Sequence, residues 1–177
     1  MNKRIIFVSN NSTKSRKEYK KKFDALGLEA YEHEIFSSAY AAAVYIKKII
    51  KLPKEKRIYI IGMNGISEEL ESQDLSWFGG SDEVVSEDEK LNSFADIEKI
   101  KPDFTVGAVL CGMDVNISYL KLAKAFTYVH SNPECQFLAT NDDATFPAGG
   151  TLYPGTGALV SALATSLGRK PKVIGKI

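Results

Sequence analysis

The chain repeatedly places a short apolar run before a polar turn and a helix-forming stretch. The first run, residues 4–8, is aliphatic and aromatic without alternation, which is typical of a strand buried on both faces of a parallel sheet. Further strands are predicted at 35–36, 57–61, 106–111, 136–139 and 172–174, and helices at 14–26, 39–52, 66–71, 117–129 and 156–167. This alternation predicts an α/β fold.

The size and charge of the chain limit its partners. Its 177 residues suffice for one domain, or a compact unit of one and a half, with a real core. Hydrophobic residues make up 44% and charged residues 25%, and the net charge is +1. This balance gives no electrostatic reason to expect nucleic acid or a membrane surface as a partner, so we expect a small molecule.

The cysteines and the N-terminus bear on the compartment. Cys111 and Cys135 are too few for a disulfide framework and belong to no Cys-x-x-Cys pair. The apolar run after Arg4 is too short for the core of a signal peptide or for a spanning helix. A reducing, cytoplasmic location is therefore predicted.

Residues 79–102 interrupt the alternation of strands and helices. They contain Gly79 and Gly80, an acidic stretch and few large apolar residues. This composition predicts a surface loop or an insertion.

Polar side chains follow the first predicted strand, at the point where it gives way to a helix. Ser9, Asn10 and Asn11 open this loop. Ligands of open α/β sheets bind outside the carboxyl ends of the strands, and a helix N-terminus offers unpaired N–H donors to an anion. The loop is therefore a candidate anion site, although Ser and Asn are equally the preferred residues for capping a helix.

A second candidate for anion binding is Lys176, which follows the last apolar run. Its ammonium group could reach a bound phosphate as a point charge. A lysine near a C-terminus is more often solvated, and both interpretations remain open.

Gly155 lies just before the last predicted helix, and Gly157 lies in its first turn. They could let the backbone approach a phosphate, or they could serve a turn and tight helix packing. The segment lacks the Gly-Lys-Ser/Thr ending of a P-loop and the third glycine of a dinucleotide fingerprint, so we interpret it as structural and disfavour a dinucleotide-binding domain.

A polar loop at 140–147 carries the adjacent carboxylates Asp142 and Asp143. They could hold a metal, but adjacent aspartates in a turn more often hydrogen-bond to nearby backbone. Asp114, after Gly112, has the same two interpretations. His33 and His130 have no neighbours that indicate a hydrolase triad or a zinc site.

Taken together, these segments resemble the haloacid dehalogenase (HAD) superfamily, and within it the 4-nitrophenylphosphatase, phosphoglycolate phosphatase and pyridoxal phosphatase group. Residues 7–16 match the family's second motif, 109–114 with Tyr119 match the inserted cap, and 154–176 match the return to the core and the third motif. The resemblance implies a partial Rossmann-like HAD core at 1–51, an inserted α/β C2-type cap at 52–170, and a return to the core at 171–177.

The resemblance also implies roles for individual residues. Ser9, Asn10 and Asn11 would bind the substrate phosphate together with Lys176, the lysine of the third motif. Asn141, Asp143 and Phe146 would lie in the cap loop that recognises the leaving group. Phe146 stands where the pyridoxal-specific relatives carry a histidine, which favours 2-phosphoglycolate as the small phosphorylated metabolite. Caps of this group also form homodimers, so a homodimer is possible.

The chain departs from the family pattern in its catalytic segments. HAD phosphatases use Mg²⁺ together with an Asp-x-Asp-Gly segment, which supplies the nucleophile and the acid/base, and a Gly-Asp-x-x-x-Thr-Asp segment, which binds the metal. The sequence contains neither segment. We therefore expect a truncated chain with no catalytic and no metal-binding residues, inactive alone and with sheet edges left uncovered. The alternative is a non-catalytic fragment that binds phosphate or dimerises.

Overall fold

The computed structural model describes residues 5–81, 83 and 90–175. Within them, strands alternate with helices along most of the chain. The strands are β1 (Phe7–Ser9), β2 (Ile35–Ser37), β3 (Arg57–Ile61), β4 (Trp77–Gly79), β5 (Val106–Cys111), β6 (Gln136–Ala139), β7 (Thr145–Ala148), β8 (Thr151–Pro154) and β9 (Lys172–Val173). The helices are α1 (Arg16–Ala25), α2 (Ser38–Val44), α3 (Asn64–Glu71), α4 (Phe94–Ile97), α5 (Tyr119–Ser131) and α6 (Thr156–Leu167).

The main sheet has five parallel strands in the order β4-β3-β5-β6-β9. All six residues of its central strand β5 are buried, as its unbroken apolar sequence predicts. Helices cover both faces of this sheet, so the predicted α/β fold with a parallel sheet is confirmed.

The two faces of the sheet carry separate hydrophobic clusters. One cluster joins the sheet to α5 and α6 and includes Tyr128 and Leu163. The other joins it to α2 and α3 and includes Ala39, Ile66 and Leu70. The alanines of α2 are small enough to let the helix lie close to the strands, because no bulky side chain holds the backbone away.

Helix α2 begins where the sequence predicts, since the Ser37 hydroxyl accepts a hydrogen bond from the Tyr40 N–H at 3.1 Å. After Val44 the helix widens into a π-helical segment, Tyr45–Ile50. It ends at Lys51, which has a left-handed φ of 55°. The predicted helix at 39–52 is therefore confirmed, with a wider second half.

A separate sheet consists of β1 and β2, which pair in parallel. One face packs against α1, where the rings of Phe7 and Phe23 have centroids 4.5 Å apart. The other face is open: Val8 is 57% exposed and Phe36 is 42% exposed. The prediction that the first strand is buried on both faces is wrong, because nothing among the described residues covers this second face.

Two polar segments have more structure than the sequence predicts. The predicted loop at 79–102 includes the end of β4 and the short helix α4, while its acidic part at 82 and 84–89 lies outside the described residues. The predicted loop at 140–147 runs into β7, which pairs with β8 as an antiparallel hairpin with all residues exposed.

Two elements that flank the predicted cap pack on the same five-stranded sheet as the cap itself. They are α2, which precedes residue 52, and β9, which pairs with β6 after residue 170. The division at 51 and 170 stays a prediction. No helix in the described part of the chain combines the length and apolarity needed to cross a bilayer.

Candidate functional site

A cavity of 420 Å³ lies where the loops after β1, β3, β5 and β6 meet. This is the carboxyl edge of the parallel strands, where α/β folds bind ligands. It brings the predicted phosphate loop and the predicted leaving-group loop together. Its lining residues are Asn10, Asn11, Ser12, Thr13, Met63, Met113, Val115, Asn141, Asp143, Phe146, Pro147, Gly155 and Thr156.

The loop after β1 is held by its own side chains. The Asn11 N–H donates to the Ser9 hydroxyl at 3.2 Å, and the Thr13 N–H donates to the Asn11 amide oxygen at 2.8 Å. The Ser9 hydroxyl also lies 3.2 Å from the Tyr19 hydroxyl of α1. Ser9 is therefore behind the loop, while Asn10 and Asn11 face the cavity.

Asn10 connects the two predicted loops directly. The side-chain amide of Asn10 donates to the Asp143 carboxylate at 3.2 Å. The backbone carbonyl of Asn10 accepts from the side-chain amide of Asn141 at 2.8 Å. Asn141 is buried, and its side-chain oxygen accepts the Asp143 N–H at 3.2 Å. Three of the predicted site residues thus form one hydrogen-bonded group, although they come from distant parts of the sequence.

Apolar side chains also line the cavity. Met63, Met113, Val115 and Pro147 line it, and Phe146 stands at its rim with its ring centroid 6.0 Å from that of Tyr153. The lining therefore combines amide and hydroxyl groups with thioether and aromatic carbon. This combination suits a ligand with a polar anionic head and an uncharged body.

Sequence reasoning missed Met63, Met113 and Ser12 as parts of this cavity. Met63 and Met113 follow β3 and β5, and the Met63 N–H donates to the Met113 carbonyl at 3.0 Å. Ser12 is buried and accepts a long hydrogen bond, 3.4 Å, from the Met113 N–H. Their positions just past the carboxyl ends of strands were the available signal.

Asp114 is a structural residue. Its carboxylate is buried and accepts from the Asn116 N–H and from the Lys121 ammonium, each at 2.8 Å. The interpretation of Asp114 as a residue that hydrogen-bonds to nearby backbone is confirmed. The ion pair with Lys121 is an additional contact that the sequence analysis does not predict.

Mg²⁺ in phosphate-handling sites is held by one or two protein carboxylates, with waters and substrate phosphate oxygens completing the octahedron. Across the described ranges, no three His, Cys, Asp or Glu side chains come together in a way that could hold a metal. The Asp143 carboxylate accepts from the Asn10 amide instead. The described residues thus do not fit a Mg²⁺ site.

Gly155, which precedes α6, and Gly157, in its first turn, allow tight packing. A Cβ on Gly155 would collide with the Asp143 carbonyl, and one on Gly157 would collide with the Asp142 carbonyl. The structural interpretation of these glycines is confirmed. They let the start of α6 lie directly against the loop that carries Asp143.

Lys176 lies outside the described residues. The residue before it, Gly175, lies close to the phosphate loop, because a Cβ there would be 2.9 Å from the Asn10 side-chain oxygen and would collide with the Thr140 carbonyl. The last described residue, Gly175, therefore lies beside Asn10. The role of Lys176 stays a prediction.

Comparisons with known proteins agree on one family. A model of haloacid dehalogenase-like hydrolases matches residues 1–76. The chain is 47% identical over 176 residues to a 4-nitrophenylphosphatase of Schizosaccharomyces pombe, covering 99% of the chain and 58% of that relative. It is 43% identical over 175 residues to a chloroplastic phosphoglycolate phosphatase of Arabidopsis thaliana, covering 98% of the chain and 47% of the relative.

The solved structures give the same result. A p-nitrophenyl phosphatase from Archaeoglobus fulgidus superposes with a TM-score of 0.73 at 29% identity, over 97% of this chain and 55% of its own. The chain spans about half the length of the curated relatives it matches. By sequence and fold, the chain is thus similar to haloacid dehalogenase-like hydrolases over residues 1–76, and to 4-nitrophenylphosphatases and phosphoglycolate phosphatases over nearly its whole length.

Proposed function

We propose that this chain carries the substrate-binding part of a phosphatase that acts on small phosphomonoesters. The observation that carries the proposal is the direct contact between Asn10 of the phosphate loop and Asn141 and Asp143 of the leaving-group loop, across one cavity. The names of the relatives, 4-nitrophenylphosphatase and phosphoglycolate phosphatase, support this substrate class.

The amide and hydroxyl groups of the loop after β1 form the proposed phosphate site. Asn10, Asn11 and Ser12 offer side-chain and backbone donors there, and the Ser9 hydroxyl holds the Asn11 N–H in place. Lys176, which follows Gly175 beside Asn10, would add a positive charge. The work of these residues is to bind and orient the phosphate, which is the major protein contribution to phosphoryl transfer.

The apolar side chains of the lining form the proposed site for the leaving group. Met63, Met113 and Phe146 would contact its carbon atoms, and the Asp143 carboxylate would set the distance between the two sites through Asn10. A cavity of 420 Å³ suits a metabolite as small as 2-phosphoglycolate, which the resemblance favours, and also the aromatic ring of 4-nitrophenyl phosphate.

We propose further that the 177-residue chain binds its ligand without turnover. Its sequence contains neither the Asp-x-Asp-Gly nor the Gly-Asp-x-x-x-Thr-Asp segment of the family. In complete family members Mg²⁺ neutralises charge on the transferring phosphoryl group. Among the described residues, the one carboxylate that lines the cavity, that of Asp143, accepts a hydrogen bond from the Asn10 amide instead.

Two assays on the purified chain test this proposal. Equilibrium titration with inorganic phosphate should give saturable binding, and incubation with 4-nitrophenyl phosphate and Mg²⁺ should release no nitrophenol above background. Clear turnover would refute the proposed inactivity. An absence of phosphate binding would refute the binding function itself.

A second candidate function is a dimerising module. The hairpin of β7 and β8 is exposed and presents Leu152 and Tyr153 to solvent. Size-exclusion chromatography of the chain distinguishes a homodimer from a monomer, and a strictly monomeric chain would remove the support for this function. The cytoplasmic location stays a prediction.

A further inference from the structure

Helix α3 touches the phosphate loop and the start of α1 along one face. The Gly65 N–H donates to the Thr13 carbonyl at 3.3 Å, and the Ser15 hydroxyl donates to the Glu68 carboxylate at 2.5 Å. Glu69 makes the third contact, with Arg16. The residues on α3 are spaced by three and four positions from Gly65, so they lie on the same side of the helix.

The contact of Glu69 is the strongest of the three. Its carboxylate is 2% exposed and accepts the backbone N–H of Arg16 at 2.6 Å and the Arg16 guanidinium at 2.9 Å. Arg16 opens α1, so its N–H is one of the donors that a helix leaves unpaired at its start. The Glu69 carboxylate of α3 therefore pairs with a free N–H at the start of α1, where the helix dipole also favours a negative charge.

The backbone of Glu69 is itself firmly placed. On α3 its neighbours Ile66 and Leu70 are fully buried against the five-stranded sheet. On the other side, the Arg16 guanidinium carbon lies 3.6 Å from the centre of the Tyr40 ring of α2. The charge pair is thus enclosed between two helices that are anchored on the main sheet.

The phosphate loop lies between a poorly covered strand and this contact. Strand β1, which precedes the loop, has an exposed outer face at Val8. The loop residues 10–13 line the cavity, and Arg16 follows three positions later. The contact with Glu69 therefore fixes the end of the loop that joins the well-packed part of the molecule.

We propose that Glu69 is a positioning residue for the phosphate loop: it holds the first turn of α1 and thereby keeps Asn11, Ser12 and Thr13 in their binding arrangement before the ligand arrives. The proposal rests on the proposed phosphate-binding function. A loop that is ordered in advance loses less conformational entropy on binding, so its affinity is higher.

The test compares Glu69→Gln with two matched controls on the full chain. Glu71→Gln removes the same charge from an exposed position of the same helix, where the carboxylate accepts only a 3.2 Å bond from the Trp77 indole among the contacts described. Val129→Ala removes buried volume from α5, on the opposite face of the sheet, and so lowers stability without touching the loop. Each variant is titrated with inorganic phosphate below its melting temperature.

Hydrogen exchange of the loop amides provides a second measurement that does not need a ligand. The N–H groups of Asn11 and Thr13 are hydrogen-bonded inside the loop and should exchange slowly in the wild type. Glu69→Gln should speed their exchange and weaken phosphate binding about tenfold, the ratio that corresponds to 1.4 kcal/mol. Glu71→Gln and Val129→Ala should leave both quantities near wild type.

Each outcome decides the proposal. Wild-type affinity and exchange in Glu69→Gln would overturn it, and so would an equal loss in Val129→Ala, because that would indicate a general effect of stability. If the wild type binds no phosphate but Glu69→Gln still releases the loop amides, the positioning role stands and the phosphate-binding function falls.

Discussion

The two parallel sheets of this molecule differ sharply in how they are covered. In the five-stranded sheet, helices pack on both faces and every residue of β5 is buried. In the two-stranded sheet of β1 and β2, α1 covers one face, while Val8 and Phe36 point to solvent on the other. Apolar side chains are present in both sheets, so the difference lies in the cover and not in the composition.

The comparison teaches where stability lies and what the cavity depends on. Burial of apolar surface supplies most of the folding free energy, so the five-stranded sheet should carry most of it. The cavity draws residues from the loops of both sheets, with Asn10 on one side and Met113 and Asn141 on the other. Ligand binding therefore requires the well-packed five-stranded sheet to hold the loop that follows β1, a strand of the poorly covered two-stranded sheet.

Thiol labelling should show the largest contrast between the two sheets. Burial raises the pKa of the Cys111 thiol to about 12 and that of Cys135 to about 11. Because the thiolate is the reactive form, both buried cysteines should react far more slowly than an exposed one. In Val8→Cys, an aromatic disulfide reagent should label the new thiol within minutes and leave the other two unlabelled.

The same reagent provides the control in denaturant. There, the unfolded wild type should react at both of its cysteines. Rapid labelling of Cys111 or Cys135 in the folded wild type would mean that the five-stranded sheet opens as readily as its neighbour.

The buried ion pair of Asp114 and Lys121 should give the largest single loss of stability. The side chains are 0% and 4% exposed, and Lys121→Met leaves the Asp114 carboxylate buried without its charge partner. A cost of about 3–5 kcal/mol is expected from urea unfolding, because an uncompensated buried charge is strongly unfavourable. Lys20→Met, which breaks the exposed pair with Asp24 on α1, should leave the unfolding curve unchanged.

A matched pair of valines compares the sheets directly. Val109→Ala in β5 removes two buried methyl groups and should lower the free energy of unfolding by about 2 kcal/mol. Val8→Ala removes the same groups from an exposed face and should change it by less than about 0.5 kcal/mol. Equal losses would show that the outer face of β1 is covered in solution.

Phe146→Ala should have only a small effect on ligand binding, because the ring is 37% exposed at the rim of the cavity. Loss of this partial contact should weaken binding of 4-nitrophenyl phosphate by about threefold and leave binding of inorganic phosphate unchanged. A threefold loss is less than about 1 kcal/mol, because one kcal/mol corresponds to about a factor of five. Parallel titrations with the two ligands measure this. An equal loss for both would place the ring at the phosphate site.

The buried parts of the fold could be predicted from sequence. The strands Arg57–Ile61, Val106–Cys111 and Gln136–Ala139 and the helix Thr156–Leu167 agree with the predicted ranges. Their patterns arise from local burial, which an apolar run or a helical stripe records directly. The sequence does not predict the hairpin of β7 and β8, because its strands are exposed on both faces and so carry no burial pattern.

The candidate site was predictable only in its conspicuous parts. Asn10 is conspicuous in the polar loop after the first strand, the family resemblance implies a site role for Asn141 and Asp143, and the structure brings all three into contact. Met63 and Met113 look like ordinary apolar residues, and Glu69 looks like an ordinary helix carboxylate. Their importance arises from contacts with residues far away in sequence, which no local pattern encodes.

The most direct test of the account is a map of amide shifts in the isotopically labelled chain during titration with 4-nitrophenyl phosphate. If the loops after β1 and β6 form one binding cavity, the signals of Asn11, Thr13, Asn141 and Asp143 should move together with a single dissociation constant. Shifts confined to one of the two loops, or to residues outside the cavity, would contradict it.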